Sequence, residues 1–199
     1  AEAAISAATD AFDQWADLGP EGRGGYLRDL AALIDREVPR IAMVECLDMA
    51  MRYESLRERV IPRGARNLRA YAELAEAHRE RAWSSNGTDN QVQRMPAGPA
   101  VIITPWNAPF MLATWKMAPA LAAGNTVILK PASDTVVVAH ELCRCFWRAG
   151  ISRNTLQLVP GPGGTVGSRL VSHPDVDAVI LTGGTETAFR MLEEKSDLN

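Results

Sequence analysis

Histidine and cysteine are scarce, at three residues each in a chain of 199. Cys46, Cys143 and Cys145 form no disulfide framework, so a reducing, cytoplasmic setting is the expectation. Cys143 and Cys145 stand two apart in a helical pattern and point different ways, which argues against a shared metal site. His78, His140 and His173 are scattered and suit surface or packing roles. No apolar run reaches the length of a membrane span; the one over 118–123 is far too short. The opening residues show no charged segment leading into an apolar block, so no secretory signal is read there. Neither sign of charge dominates: 21 Lys and Arg face 24 Asp and Glu, for a net charge of −3. That balance offers no footprint for nucleic acid or an anionic membrane. There is no internal repeat and no low-complexity tract.

What is present is an ordinary globular composition, 47% hydrophobic and 23% charged. The length suffices for one domain, or a domain with an arm. Residues 1–82 read as a helical segment packed on a core. Ile5, Ala8, Phe12 and Trp15 form a first apolar stripe, broken at Gly19-Pro20. A second helix is expected over 23–37, a third from Pro39, and a fourth over 56–81 with Pro62 near its start. Residues 83–97 change character. Ser84 to Asn90 is rich in turn formers and 91–95 alternates weakly, which predicts a hairpin or exposed β arm.

From residue 98 to 199 the pattern is regular. Apolar runs at 100–104, 126–130, 155–159 and 176–182 read as strands. Each is followed by a helical stretch, at 110–123, from Ser133 or Asp134 to 149, at 163–172 and at 185–195. Ser133 or Asp134 is the expected N-cap of the second of these helices. Four β-then-α units in a row specify an α/β fold: a Rossmann-like parallel sheet with helices on both faces.

Ligands in such a sheet bind beyond the carboxyl ends of the strands. Those ends are Thr104-Pro105-Trp106-Asn107, Lys130-Pro131-Ala132-Ser133, Pro160-Gly161-Pro162-Gly163 and Thr182-Gly183-Gly184-Thr185. All four are polar, small or glycine-rich, as a nucleotide site requires. Gly183 and Gly184 let backbone approach a phosphate at a helix N-terminus, although they do not form a G-x-G-x-x-G fingerprint. Thr185 fits an ordinary N-cap equally well. Lys130 fits either a ribose or phosphate contact or a solvated strand end. Asn107, held between Pro105 and Pro109, fits either an amide donor for an oxyanion or a turn cap.

Taken together, these motifs resemble the aldehyde dehydrogenase superfamily. The resemblance rests on residues 103–110, 115–125 and 127–132, then 158–161, 172–176 and 181–186, in the family's order. It implies a role for each. Asn107 corresponds to the asparagine that helps hold the oxyanion of the substrate adduct. Ile103, Thr104, Pro105 and Trp106 line the dinucleotide site, and Lys130 binds the adenosine ribose. Gly163 lies near the adenine end, and Gly167 belongs to the same cofactor site. Thr182, Gly183, Gly184 and Thr187 approach the pyrophosphate and nicotinamide side. The implied cofactor is NAD or NADP, and the implied substrate a small aldehyde. The implied assembly is a homodimer or homotetramer that exchanges strands through the arm, and no metal is implied.

Two departures from the family bear on function. Many NAD-preferring members carry glutamate where Ser133 stands, and serine does not repel a 2′-phosphate, so NADP use opens. Gly184 replaces a common serine, which loosens that loop. The family's general-base glutamate and nucleophilic cysteine belong to segments beyond residue 199, and none of Cys46, Cys143 or Cys145 has the nucleophile's place. The expected reaction of the whole protein is oxidation of an aldehyde or semialdehyde to the carboxylate, with the 199-residue piece alone inactive. The alternatives are a non-catalytic nucleotide-binding or oligomerisation module, a degenerate remnant without catalysis, and a variant ending in a coenzyme A thioester. Residues 104–112 are similar to members acting on hydroxymuconic semialdehydes, and residues 182–187 to those acting on glutamate semialdehyde, so the substrate stays open.

Overall fold

A computed structural model describes residues 1–196. It opens with helices α1 (Glu2–Asp10) and α2 (Phe12–Ala16), followed by the 31-residue α3 (Gly19–Met49). The Gly19-Pro20 break is present, with Gly19 at φ 68°. Pro39, however, does not begin a new helix; α3 runs through it. An interior proline removes one helical hydrogen bond and strands the carbonyl four residues back. Here Pro39 and Asp35 are both exposed, so the unpaired carbonyl lies on the solvent side of α3. Leu33, Ile34, Ile41 and Ala42 on the opposite side keep both halves of α3 in one core.

The short α4 (Tyr53–Ser55) and a π-helical turn over Leu56–Val60 lead into α5 (Ile61–Ala77), with Pro62 in its first turn. Strands β1 (Arg81–Ser85) and β2 (Thr88–Val92) then pair antiparallel as an exposed hairpin. Its turn is Asn86-Gly87, at φ 53° and 76°, the left-handed pair that a two-residue hairpin turn demands. The strands therefore begin earlier than the 91–95 alternation suggested, on residues that composition alone marks as turn formers.

The remaining elements are β3 (Ala100–Ile103), α6 (Pro109–Ala122), β4 (Val127–Lys130), α7 (Val136–Arg148), β5 (Leu156–Leu158), α8 (Ser168–Val171), β6 (Ala178–Leu181) and α9 (Thr185–Ser196). The four strands form one parallel sheet in the order β5-β4-β3-β6. Alternate side chains serve its two faces, as the strand period requires. Ile102, Val127, Leu129 and Leu156 join the core built with α3, α5, α6 and α7. Val101, Ile103 and Ile128 join a second core with Ile5 and Ala8 of α1 and Leu170 and Val171 of α8. The N-terminal segment thus contributes helices to both faces of the sheet.

Neither Ser133 nor Asp134 caps α7. Residues Ser133–Thr135 make a 3-10 turn with no side-chain cap. The acceptor comes from α3 instead: the Val138 amide donates to Asp48 Oδ2 at 3.0 Å. A side-chain N-cap is worth about 1 kcal/mol. Asp48→Ala is expected to lower unfolding free energy by about that amount, read from denaturant midpoints. No change would mean that water replaces the bond without cost.

Candidate functional site

The strand order puts β3 and β6 side by side, with β4 on the far side of β3. The chain runs outward from β3 to β4 and β5 and then crosses back to β6 on the other side of β3, so the crevice beyond β3 and β6 is the sheet's topological switch point. Register fixes what meets there. Ile103 pairs with Lys130 on one side and with Leu181 on the other. One residue further, the Thr104 amide donates to the Lys130 carbonyl at 3.2 Å, and the Thr182 amide to the Ile103 carbonyl at 3.0 Å. The three chain segments that carry Thr104–Asn107, Lys130–Ser133 and Thr182–Gly184 therefore leave the sheet together.

Within this set the environments differ. Ile103, Thr104 and Lys130 are buried, Pro105 is half-buried, and Trp106 and Asn107 are exposed. Trp106 is 60% exposed, unusual for so large an apolar side chain and consistent with the lining of an open site. Among the described residues the Lys130 ammonium has a single hydrogen-bond acceptor, the Pro131 carbonyl at 3.1 Å. Burial lowers its pKa, because a desolvated cation loses its hydration without an anion in return. Two of its three donor hydrogens are left for a hydroxyl or phosphate.

The glycine-rich end of β5 reaches the same region. Gly167 packs against the Lys130 stem, where a Cβ would stand 3.5 Å from Cε. A cleft of about 120 Å³ brings Gly163 and Gly164 together with Thr187 and Arg190 of α9. Gly183 and Gly184 are exposed, and Ser133 is exposed at the mouth of the Lys130 strand. A larger cleft of about 380 Å³, lined by Arg23, Tyr71, Leu74 and Met95, contains none of the sequence-predicted site residues.

The cysteines do not join this constellation. Cys143 and Cys145 are buried in α7, and desolvation drives both thiols up, Cys145 to about 12, so neither offers a thiolate. Among the described residues no group of three or more His, Cys, Asp and Glu is arranged to hold a metal. No helix of the described residues is long and apolar enough to cross a membrane.

Two residues near the site escaped the sequence reading. Glu45 and Asp48 lie one turn apart on α3, behind the loops that follow β3 and β4. Glu45 is fully buried. The signal was local: two carboxylates in the otherwise apolar stretch 41–49. The backbone groups they face, at Phe110 and Val138, lie 65 and 90 residues away and were not visible.

The sequence profile of the aldehyde dehydrogenase family matches residues 1–198. The chain belongs to that family. It is 38% identical over 194 residues to 2-aminomuconic semialdehyde dehydrogenase of Bos taurus, covering 96% of this chain and 40% of that protein. It is 36% identical over 191 residues to 5-carboxymethyl-2-hydroxymuconate semialdehyde dehydrogenase of Escherichia coli, covering 96% of this chain and 41% of that one. The crystal structure of PnpE in complex with nicotinamide adenine dinucleotide superposes with a TM-score of 0.94 at 34% identity, over 97% of this chain and 40% of PnpE. This aldehyde dehydrogenase chain thus spans about 40% of the length of the curated relatives it matches.

Proposed function

We propose that this chain is the cofactor-binding part of an NAD(P)-dependent dehydrogenase that oxidises a semialdehyde to the carboxylate. The observation that carries the reading is the switch point, where Thr104–Asn107 and Thr182–Gly184 leave adjacent strands of a family member's sheet. The site fits a dinucleotide on its own terms. Lys130 is a buried cation with spare donors, and the glycine-rich ends of β5 and β6 admit close backbone approach. When bound, NAD or NADP supplies the hydride acceptor. Lys130 and Ser133 hold the adenosine ribose, with Gly163 and Gly167 at the adenine end. Ile103, Thr104, Pro105 and Trp106 line the crevice, and Thr182, Gly183, Gly184 and Thr187 face the pyrophosphate and nicotinamide side.

Asn107 is the chain's contribution to chemistry. Its side-chain amide donates to the oxygen that becomes negative when a nucleophile adds to the aldehyde carbon. The nucleophile and the general base are supplied by segments outside residues 1–199. Residues 98–199 are the cofactor domain, 1–82 its helical support and 83–97 the arm. The arm pairs subunits into a homodimer or homotetramer: an isolated hairpin is marginal in water, and this one leaves Trp83 47% exposed. The named activities of the two relatives favour a muconic-type semialdehyde over the glutamate-derived one.

The test uses the full-length protein, with titration of NAD and NADP and turnover of a semialdehyde panel. Ser133→Glu is expected to lower kcat/KM with NADP by about tenfold or more relative to NAD, since a carboxylate repels the 2′-phosphate and accepts from ribose hydroxyls. An unchanged NADP-to-NAD ratio removes Ser133 from the ribose site. Absence of binding to either dinucleotide removes the whole reading.

A further inference from the structure

Helix α6 begins two residues after Asn107, and its beginning is poorly provided for. Its N-cap is Ala108, which has no side-chain acceptor, at φ −156° and ψ 64°. Pro109 has no amide, so Phe110 and Met111 carry the first-turn donors that no helical carbonyl accepts. The Leu112 amide already closes onto Ala108. Phe110 is buried, so its donor is shielded from water.

The complementary need lies opposite, on α3. Glu45 is fully buried, and neither of its carboxyl oxygens has a hydrogen-bond partner among the described residues. An unpartnered buried carboxyl is costly. The Phe110 amide is nonetheless the backbone group that acts on it in favour of its charged form, while Asp48, one turn on, opposes that charge. Asp48 itself shows what α3 does at this end, since it accepts the Val138 amide at the start of α7. The same helix face thus meets the N-termini of the two helices that follow β3 and β4.

We propose that Glu45 caps α6 from the neighbouring helix and is a positioning residue for Asn107. The carboxyl accepts from the Phe110 and Met111 amides and fixes where α6 starts. That fixes the α6 end of the Thr104–Pro109 loop, whose other end is tied at β3 by the Thr104 amide, and with it the direction of the Asn107 amide. Side-chain direction matters because an oxyanion donor acts only at hydrogen-bond distance from the developing charge. The effect on turnover rests on the role proposed for Asn107; the capping contact does not.

The experiment compares Glu45→Met and Glu45→Gln in the full-length protein. Methionine keeps the volume and removes the strong acceptor, while glutamine keeps an acceptor oxygen. Hydrogen exchange over peptides spanning 105–112 is read by mass spectrometry, beside steady-state kinetics. Glu45→Met is expected to speed exchange of the Phe110 and Met111 amides by about tenfold. It is also expected to lower kcat by about tenfold, with cofactor KM within about twofold of wild type. Glu45→Gln recovers most of both losses. If the wild type oxidises no aldehyde but the exchange pattern holds, the cap stands and the role of Asn107 falls. If exchange over 105–112 is unchanged in Glu45→Met, or rises evenly across the chain, or rises equally in both variants, the cap is wrong. Should Glu45→Met not fold, the amide resonance of 15N-labelled Phe110 decides. An upfield move in Glu45→Gln, from a weaker acceptor, supports the cap, and an unmoved resonance overturns it.

Discussion

Asn107→Ala in the full-length protein is expected to lower kcat for aldehyde oxidation by about 10²–10³-fold, the usual cost of one oxyanion donor. That factor corresponds to about 3–4 kcal/mol of transition-state stabilisation. The Thr104 amide is tied to the Lys130 carbonyl at 3.2 Å, so the loop leaves the sheet at a fixed point. Pro105 and Pro109 restrict the backbone on either side of Asn107. The amide is exposed and therefore available to a ligand. An interaction made only as negative charge develops lowers kcat and kcat/KM together when it is lost. NAD affinity is expected to change by less than about twofold, because the proposed cofactor contacts are made by residues other than Asn107. A kcat loss below about tenfold, or an equal loss of NAD affinity, would assign Asn107 to cofactor binding or to the turn alone. Asn107→Asp sharpens the test. It conserves shape but places an acceptor and a negative charge where a donor is needed, so it should be no better than alanine.

Much of the sheet was legible because strands with both faces covered are short apolar runs, and each here ends in proline, glycine or a polar residue. Ala100–Ile103, Val127–Lys130 and Ala178–Leu181 fall inside the expected runs. The strand ends were legible for the same reason, since the residues that stop a strand are those that line a crevice. What local pattern does not carry is solvent exposure and distance. Pro39 reads as a helix start, yet its exposure lets α3 continue. Asn86-Gly87 overrides the turn character of its neighbours because it alone supplies the two left-handed residues the hairpin needs. The α7 cap reads as Ser133 or Asp134 from sequence, but Asp48, 90 residues from Val138, supplies it. Glu45 carries no motif; only its burial against the start of α6 gives it meaning.

That burial makes a further result measurable in the full-length protein. Desolvation is the main cause that raises the Glu45 pKa from the ordinary 4.5 to about 7, with Asp48 adding to it and the Phe110 amide opposing it. The native state therefore keeps this proton up to about pH 7, while the unfolded chain gives it up near 4.5. Between those values the native state binds more protons, so stability falls as pH rises. The advantage is complete below about pH 4.5 and gone above about pH 7, and it amounts to about 3 kcal/mol. Glu45→Gln has no proton to lose there. Its stability minus that of wild type is thus expected to grow by about 3 kcal/mol from pH 4.5 to 8, read as denaturant midpoints. Groups common to both proteins cancel in the difference, which isolates this carboxyl. A difference that stays flat with pH would mean the carboxyl is solvated or already charged in the native state. A smaller rise has its own meaning, because amides at the start of α6 that hold the charged carboxylate pull its pKa down. The size of the slope therefore measures how far the helix end compensates a buried charge behind Asn107.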